Sequence, residues 1–318
     1  MARLAQGEPL EHIPVLLDEV VKYLLQSGAG TYVDATFGRG GHSRALLASL
    51  DDTARLIAID RDPDAVAQGL QLAACDARFQ IVRGRFSQMA EIVTQVGATA
   101  VEGILMDLGV SSPQLDHARR GFSFRFSAPL DMRMDPDEGA SAAQWLNIAD
   151  EQDIARVLKT YADERYAKRI ARAILAARPL ETTDQLAEVV AAAVPHRSMP
   201  GKHPATKTFQ AIRIYINQEV QELAEGLKVA FHQLAAGGRL AVISFHSIED
   251  RAVKHAFRGL TRPPSMPRRI PIPHAQMLTL ASDIAGPVRP SPRELALNPR
   301  ARSATLRVIE KRGVNGQG

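Results

Sequence analysis

A glycine cluster between a β-prone run and an Ala/Leu-rich run constrains this chain more than any other feature. Residues 32–43 read Tyr-Val-Asp-Ala-Thr-Phe-Gly-Arg-Gly-Gly-His-Ser. The pattern predicts a strand, a tight turn and a helix from about Ser43 to Leu50. A glycine has no Cβ, so it adopts positive φ at little cost and lets a ligand lie against the backbone. The helix start would offer free N–H groups to a polar or anionic ligand group.

A carboxylate follows one strand later. The apolar run from Ala54 to Ile59 ends at Asp60, about 20 residues after the glycines, where nucleotide-binding folds place the acid that binds ribose hydroxyls. A glycine loop that is only a turn is the alternative, and Asp60 counts strongly against it. The two features together predict a nucleoside site.

The glycine spacing distinguishes between nucleoside cofactors. A dinucleotide fingerprint needs a third glycine where this chain has Ser43. Asp34, at the predicted strand end, suits a cationic amino group better than a pyrophosphate. S-adenosylmethionine carries an amino group and an adenosine but no phosphate, so this spacing favours it over a dinucleotide.

Length and composition bound the remaining choices. The 318 residues suffice for one large domain with an insertion, or for two domains. No run approaches the roughly 20 apolar residues of a membrane span, and the N-terminus lacks a secretory pattern. The single cysteine, Cys75, excludes an intramolecular disulfide framework and favours a cytoplasmic location. No metal site is predicted.

Positive charge is concentrated near the C-terminus. The net charge is only +4, but Arg258 to Arg312 contains 11 Lys/Arg and 3 acids. This excess suits phosphate groups, and a solvated basic tail is an equally good interpretation.

Two further apolar runs end in polar residues. The run Gly103–Met106 leads into Asp107 and then Ser111, and the run from Arg239 to Phe245 leads into His246. Parallel strands bind ligands at their carboxyl edge, so we expect these side chains at one edge of the sheet. After a third strand at 79–82, Phe86 is a candidate to cover an adenine face, although a core phenylalanine is as good an interpretation.

The middle of the chain changes character. Residues 116–136 interleave arginines with phenylalanines, which suits RNA bases and phosphates better than a merely packed loop. Residues 141–193 are helical and Ala-rich, with a basic surface and a capping box at Thr182. We therefore expect a substrate-binding helical domain at 137–206, inserted into a domain made of 1–136 and 207–318. Candidate RNA contacts are Arg120, Arg125, Arg133, Lys168, Arg169 and Arg172.

The alternation of helix and strand then resumes. A helix is predicted from Thr206 to Leu234, ended by residues 235–238. Residues 262–292 are Pro-rich and predicted to be loop, and a last strand is expected at 304–309.

These motifs together resemble the bacterial 16S ribosomal RNA (cytosine-N4) methyltransferase family. The resemblance covers nearly the whole chain, and its hallmarks are the segments at 12–17, 36–43, 60–62, 107–114, 120–124 and 244–251. It implies an α/β fold, with a Rossmann-like seven-stranded S-adenosylmethionine methyltransferase sheet and a helical insertion. The cofactor residues it implies are Gly40, Gly41, His42, Asp60, Phe86, Asp107 and Gln114.

The resemblance also implies a substrate and partners. The substrate would be the N4 amine of a cytidine in the decoding region of 16S rRNA, within a small ribosomal subunit or its precursor. It leaves the oligomeric state open, with a homodimer among the alternatives. Two other functions are alternatives, a non-catalytic RNA-binding assembly protein and a nicotinamide dehydrogenase. The missing third glycine counts against the dehydrogenase.

Methylation of an exocyclic amine needs a hydrogen-bond acceptor that orients the nitrogen. Candidates are Asp107, Ser111 and His246, and service to the cofactor alone is an equal alternative for Asp107. Methylation at carbon 5 would instead use a cysteine thiolate, but Cys75 follows a helix leading to the third strand, away from the strand-end edge.

Overall fold

A computed structural model describes residues 14–195, 203–262 and 279–313. Its contacts divide the chain into two compact units. The first comprises the described residues up to Gly109 and from Leu223 onward, and the second runs from Val110 to Glu222.

Seven strands form one sheet in the described part of the first unit. They are β1 (Thr31–Asp34), β2 (Arg55–Asp60), β3 (Phe79–Arg83), β4 (Val101–Asp107), β5 (Leu234–Ser244), β6 (Ala281–Val288) and β7 (Thr305–Lys311). Their order is β3-β2-β1-β4-β5-β7-β6, and β7 is antiparallel to both of its neighbours while the other pairs are parallel. The expected α/β class and seven-stranded sheet are confirmed.

The described helices, in chain order, are α1 (Leu17–Leu24), α2 (Gly41–Ser49), α3 (Pro63–Cys75), α4 (Met89–Gln95), α5 (Ser112–Asp116), α6 (Ala142–Ile148), α7 (Glu151–Ala162), α8 (Ala167–Ala176), α9 (Thr183–Ala193), α10 (Ala205–Ile216), α11 (Glu219–Gln233), α12 (Ser247–Thr261) and α13 (Pro292–Leu297). Short 3-10 turns stand at Phe86–Gln88, Ala118–Arg120 and Pro299–Ser303.

Both faces of the sheet are covered. Successive strand residues point to opposite faces, so Val33 joins one buried cluster and Tyr32 the other. Residues of α1, α2 and α3 pack in the cluster of Tyr32, and residues of α4, α11 and α12 pack in that of Val33. Burial on both faces explains why the central strands are continuous apolar runs.

The strand register places two acids beside the glycine loop. Asp34, the last residue of β1, pairs with Ala58 of β2 and Leu105 of β4. Both neighbours continue past this level, to Asp60 and Asp107. The loop that leaves β1 therefore runs between two longer strands that each end in a carboxylate.

The predicted helix from Thr206 to Leu234 is wrong as one element. The structure has two helices, α10 and α11, separated at Asn217 and Gln218. The Asn217 amide donates to the carbonyls of Arg213 and Met132, and Gln218 has φ 53°. Residues 235–238 do not end a helix but form an irregularity within β5, where its pairing with β4 shifts register.

The predicted loop at 262–292 is also wrong in part. Residues 263–278 lie outside the described residues, but Ala281–Val288 forms β6. This strand lies at the edge of the sheet and contains Gly286 and Pro287, with two register shifts against β7. Proline is tolerated on an edge strand because one side needs no partner, so a proline-rich composition did not exclude a strand.

The second unit is helical and has its own core. Buried residues of α6 to α10 form one cluster that includes Trp145, Ile170 and Phe209. The unit begins and ends at other residues than the expected domain at 137–206. The loop before α6 belongs to it because Leu130 donates to the Glu181 carbonyl and Thr183 donates to that of Ala128. Helix α10 belongs to it because its apolar residues complete the cluster.

We predict that Asn217→Ala destabilises the protein by about 3 kcal/mol, because it leaves buried backbone groups without their hydrogen-bond partners. Asn217 is 2% exposed, and its Oδ1 accepts from the Met134 N–H at 2.7 Å while Nδ2 donates to the Met132 carbonyl at 2.7 Å. Urea unfolding measures the effect. Asn147→Ala is the matched control, because Asn147 bonds both backbone groups of Leu180 from a partly exposed position. An equal or larger loss in the control would contradict the prediction.

Candidate functional site

Backbone conformation and lack of space both require glycine in the loop after β1. Gly38 and Gly40 have φ 56° and 72°, in the left-handed region that favours glycine. A Cβ on Gly40 would stand 2.5 Å from the Phe37 ring, and one on Gly41 would stand 2.3 Å from Pro14. Both glycines are therefore required by the packing of the loop against its own neighbours.

Hydrogen bonds tie this loop to three strand ends. The Gly38 N–H donates to Asp60 Oδ2 at 2.7 Å, at the end of β2. The Asp107 N–H donates to Thr36 Oγ1 at 2.6 Å, at the end of β4. The Ser43 hydroxyl donates to Asp34 Oδ2 at 2.6 Å, at the end of β1. The loop is thus positioned by all three strands together.

Asp34 serves the loop itself. It is 1% exposed and also accepts from the Thr36 N–H at 3.2 Å. Burial raises its pKa, while the Ser43 hydroxyl opposes that rise. The sequence suggested that Asp34 meets a cationic amino group, whereas in the structure both of its oxygens are engaged within the loop.

Asp60 is half-buried and retains acceptor capacity. Its Oδ2 accepts from Gly38 and its Oδ1 accepts from the Asp62 N–H at 2.9 Å. Burial raises the pKa of Asp60 to about 6, against the lowering effect of these two backbone donors. A carboxylate has about four acceptor positions. Asp60 therefore has room for further donors of the kind that ribose hydroxyls provide.

His42 and Asp107 form a close pair at the start of α2. His42 is 6% exposed, and its Nε2 lies 3.6 Å from Asp107 Oδ2. Burial lowers the pKa of His42, but Asp107, Asp34 and Glu294 outweigh it and raise the pKa above its ordinary value. The other oxygen, Asp107 Oδ1, is buried, and no described residue donates a hydrogen bond to it. This oxygen is an acceptor without a donor from the described chain.

The Phe86 ring packs against helix α11 within the first unit. It is half-buried, and a Cβ on Gly226 of α11 would stand 2.3 Å from its ring. One edge of the ring thus packs on the backbone of α11. The core interpretation accounts for this contact, and a role beside an adenine stays a prediction.

His246 has a structural task at the end of β5. Its Nδ1 accepts from the Glu249 N–H at 3.3 Å, and Glu249 Oε2 accepts from the Phe245 N–H at 2.8 Å. These reciprocal bonds form a capping box at the start of α12. Its Nε2 lies 3.0 Å from Glu249 Oε1. The imidazole is therefore occupied as a helix cap, which weakens it as a catalytic candidate.

Ser111 and Gln114 belong to the second unit. Gln114 is buried, and its Oε1 accepts from the Ser111 N–H at 3.0 Å. This bond joins the two candidates within one turn around α5.

Two of the arginine candidates support the fold of their own loop. Arg133 forms a paired contact with Asp131, at 2.9 Å for Nε and 2.7 Å for Nη2. Arg120 donates to the Met134 carbonyl at 2.8 Å. These contacts make both residues parts of the loop structure, whereas Arg125 is exposed.

The basic residues of α8 face solvent. Lys168, Arg169 and Arg172 are all exposed. Arg172 Nε lies 2.9 Å from Glu151 Oε1, so an acid offsets part of its charge. Sequence reasoning counted these charges but missed this partner.

Sequence reasoning also missed the tasks of Thr36 and Ser43. Both stand inside the glycine motif, and a hydroxyl residue next to a buried strand-end acid was the available signal. In the described ranges, no helix has the length and apolar character needed to cross a membrane.

Comparison with known proteins identifies the family of this chain. The sequence profile of the MraW methylase family matches residues 9–312. The chain belongs to the MraW methylase family. The predicted resemblance and the prediction of a methyltransferase are thereby confirmed.

One relative is similar over nearly the whole chain. The ribosomal RNA small subunit methyltransferase H of Thiobacillus denitrificans is 53% identical over 304 residues, which are 94% of this chain and 97% of that protein. Solved structures are more distant. An rRNA methylase from Streptococcus thermophilus has 11% identity and a TM-score of 0.41, covering 93% of this chain and 94% of its own. The N-methyltransferase NodS from Bradyrhizobium japonicum has 10% identity and a TM-score of 0.39, with the same two coverages.

Proposed function

We propose that this methylase uses S-adenosylmethionine to methylate the N4 amine of a cytidine in the decoding region of 16S rRNA. The observation that carries the proposal is the glycine loop held between two strand-end acids, Asp60 and Asp107, in a chain of the MraW methylase family. The relative from Thiobacillus denitrificans, named as a small-subunit rRNA methyltransferase, supports the choice of substrate.

The residues at the sheet edge fit this cofactor. Asp60 has acceptor positions for two ribose hydroxyls, and the start of α2 offers backbone N–H groups to a carboxylate. Asp107 Oδ1, a buried acceptor without a donor from the described residues, is available to the substrate instead. Gly40, Gly41, His42, Phe86 and Gln114 are the further residues that the family resemblance assigns to the cofactor.

The main task of the protein in this reaction is to orient the cytidine amine and to accept its hydrogen bond. S-adenosylmethionine, when bound, would supply a methyl group on a sulfonium sulfur. The N4 lone pair would form the new bond to carbon, and the electron pair of the broken sulfur–carbon bond would stay on a neutral thioether. The lone pair of the amine is delocalised into the cytosine ring. An acceptor that draws an N–H toward itself makes this pair more available, and it can take the proton that the nitrogen must lose. We assign this task to Asp107 Oδ1.

The position of the thiol supports an amine target. Cys75 is exposed at the last residue of α3, a helix that starts just after the carboxyl end of β2 and ends shortly before β3 begins. With 13 residues, α3 spans about 20 Å. The end of α3 therefore lies toward the amino ends of the strands, away from Asp60 and Asp107. A thiolate there could not add to the cytosine whose amine is methylated.

The helical second unit is the proposed RNA-binding part. The exposed side chains of Lys168 and Arg169 on α8, with Arg125 on the preceding loop, suit phosphate groups. The partner would be 16S rRNA in a small subunit or its precursor.

We predict that Asp60→Ala weakens S-adenosylmethionine binding at least about tenfold, because it removes charged-acceptor bonds of about 1.5–3 kcal/mol each. Calorimetry measures the affinity. Asp52→Ala, an exposed acid that precedes β2, removes the same charge away from the site and should bind normally. Unchanged affinity in Asp60→Ala would remove this residue from the site.

The pH dependence provides a second readout for Asp60. Because its pKa is raised to about 6, the carboxylate becomes protonated as the pH falls through that value and loses its charge as an acceptor. The affinity of the wild type should therefore fall below pH 6, by up to about tenfold per unit. Asp60→Asn cannot titrate, so its affinity should change less over the same range.

We predict that Lys168→Ala/Arg169→Ala weakens RNA binding and lowers the slope of log affinity against log salt by about 1–2. Cofactor affinity should not change. The matched control is Arg156→Ala/Lys159→Ala, which removes two exposed charges of α7 that are paired with Asp153 and Asp163. Equal effects of the two double variants would show that α8 acts only through net charge.

We predict N4-methylcytidine as the product. Cys75→Ser should retain full activity, and Asp107→Ala should lose at least about 100-fold in rate. Mass spectrometry of digested RNA identifies the methylated position. A C5-methyl product, or a folded Cys75→Ser protein without activity, would overturn the amine mechanism.

A further inference from the structure

Several charged groups meet at His42, between the ends of β1 and β4. His42 is the second residue of α2, where the helix dipole disfavours a positive charge. Carboxylates from three elements oppose that effect. They are Asp107 of β4, Asp34 of β1 and Glu294 of α13, and each raises the pKa of His42. Burial and the helix start therefore disfavour the protonated form of His42, whereas the three carboxylates favour it.

Asp107 is held from two directions. Its N–H donates to Thr36 Oγ1 at 2.6 Å, which fixes the backbone. Its Oδ2 lies 3.6 Å from His42 Nε2, which is ion-pair distance for a protonated ring but too long for a hydrogen bond. Both ring nitrogens of His42 are buried, and neither has a hydrogen-bond partner among the described residues. The remaining oxygen, Oδ1, is buried, and no described residue donates to it. A buried acceptor without a donor is unfavourable, so this arrangement is suited to a donor that comes from outside the chain.

We infer that His42 is a positioning residue for Asp107: the imidazole ring, placed against Oδ2, keeps Oδ1 directed at the amine of the target cytidine. The inference rests on the proposed function, because it takes that amine as the donor. It gives the His42 side chain a task beyond the cofactor contact that the family resemblance implies. The reacting nitrogen needs its acceptor within a narrow geometry, and an error of about 1 Å can cost 100-fold in rate.

Two substitutions separate charge from bulk at His42. His42→Leu replaces the imidazole with an apolar side chain of similar size. His42→Gln retains a hydrogen-bond donor but cannot become charged. We expect kcat to fall roughly 10- to 100-fold in His42→Leu, with a smaller loss in His42→Gln. The affinity for S-adenosylmethionine, by calorimetry, should fall by a clearly smaller factor than kcat in both variants, because the family resemblance also assigns His42 to the cofactor. Thermal unfolding checks that both variants fold.

Two kinetic outcomes would overturn the inference. An unchanged kcat in folded His42→Leu would show that the imidazole is not needed to orient Asp107. A fall in cofactor affinity as large as the fall in kcat would show that His42 acts on the cofactor instead.

An NMR titration tests the pairing without any activity assay. The imidazole carbon signals of the full chain are followed against pH, and the His42 signal is assigned by its absence from His42→Gln. We expect the His42 midpoint to fall in Asp107→Asn and to stay unchanged in Asp52→Asn. The remaining carboxylates, Asp34 and Glu294, would still act on the ring in both proteins.

The titration separates the inference from the proposed function. An unchanged midpoint in Asp107→Asn would overturn the inference even if the wild type methylates 16S rRNA. A lowered midpoint in a protein that fails to methylate 16S rRNA would overturn the proposed function and leave the His42–Asp107 pair established.

Discussion

The hydrogen bond from the Gly38 N–H to Asp60 is the contact on which the site depends. Gly38 has a left-handed backbone conformation, and its nitrogen lies 2.7 Å from Asp60 Oδ2 at the end of the neighbouring strand β2. The register of the sheet makes this reach short, because β2 and β4 continue two residues past the partners of Asp34. On the other side, Thr36 receives the Asp107 N–H. One loop therefore sets the position of both acids, and a change in its backbone would move the two halves of the site together.

Local patterns in the sequence predicted this part of the structure well. A strand, a glycine turn, a helix and a spaced acid are features of neighbouring residues, and the same physical preferences act in the folded chain. The break at Asn217 depends on backbone groups of Met132 and Met134, more than 80 positions earlier. Strand β6 depends on pairing with β7. Neither partner is visible in the local pattern, and so both elements were missed.

The same distinction between local pattern and distant or unforeseen partners applies to the candidate site residues. Asp60 and Asp107 were predicted from their places at strand ends, and the structure brings both to the glycine loop. His246 was predicted by the same rule, but Glu249 one turn later engages its imidazole as a helix cap. Arg133 was predicted from composition, and Asp131 two residues away neutralises it. A position predicts where a side chain lies, whereas its partners decide whether it is available.

Burial of acids at this edge has a cost that a cationic ligand would offset. Asp34 and Asp60 both have raised pKa values because burial disfavours their charged forms. Asp107 adds a third carboxylate, whose Oδ2 lies 3.6 Å from His42 Nε2. The proposed cofactor is a sulfonium cation and its thioether product is neutral. A site with this excess of carboxylates would therefore bind the cofactor more tightly than the product, so the electrostatics that hold the methyl donor also favour release once the methyl group has left.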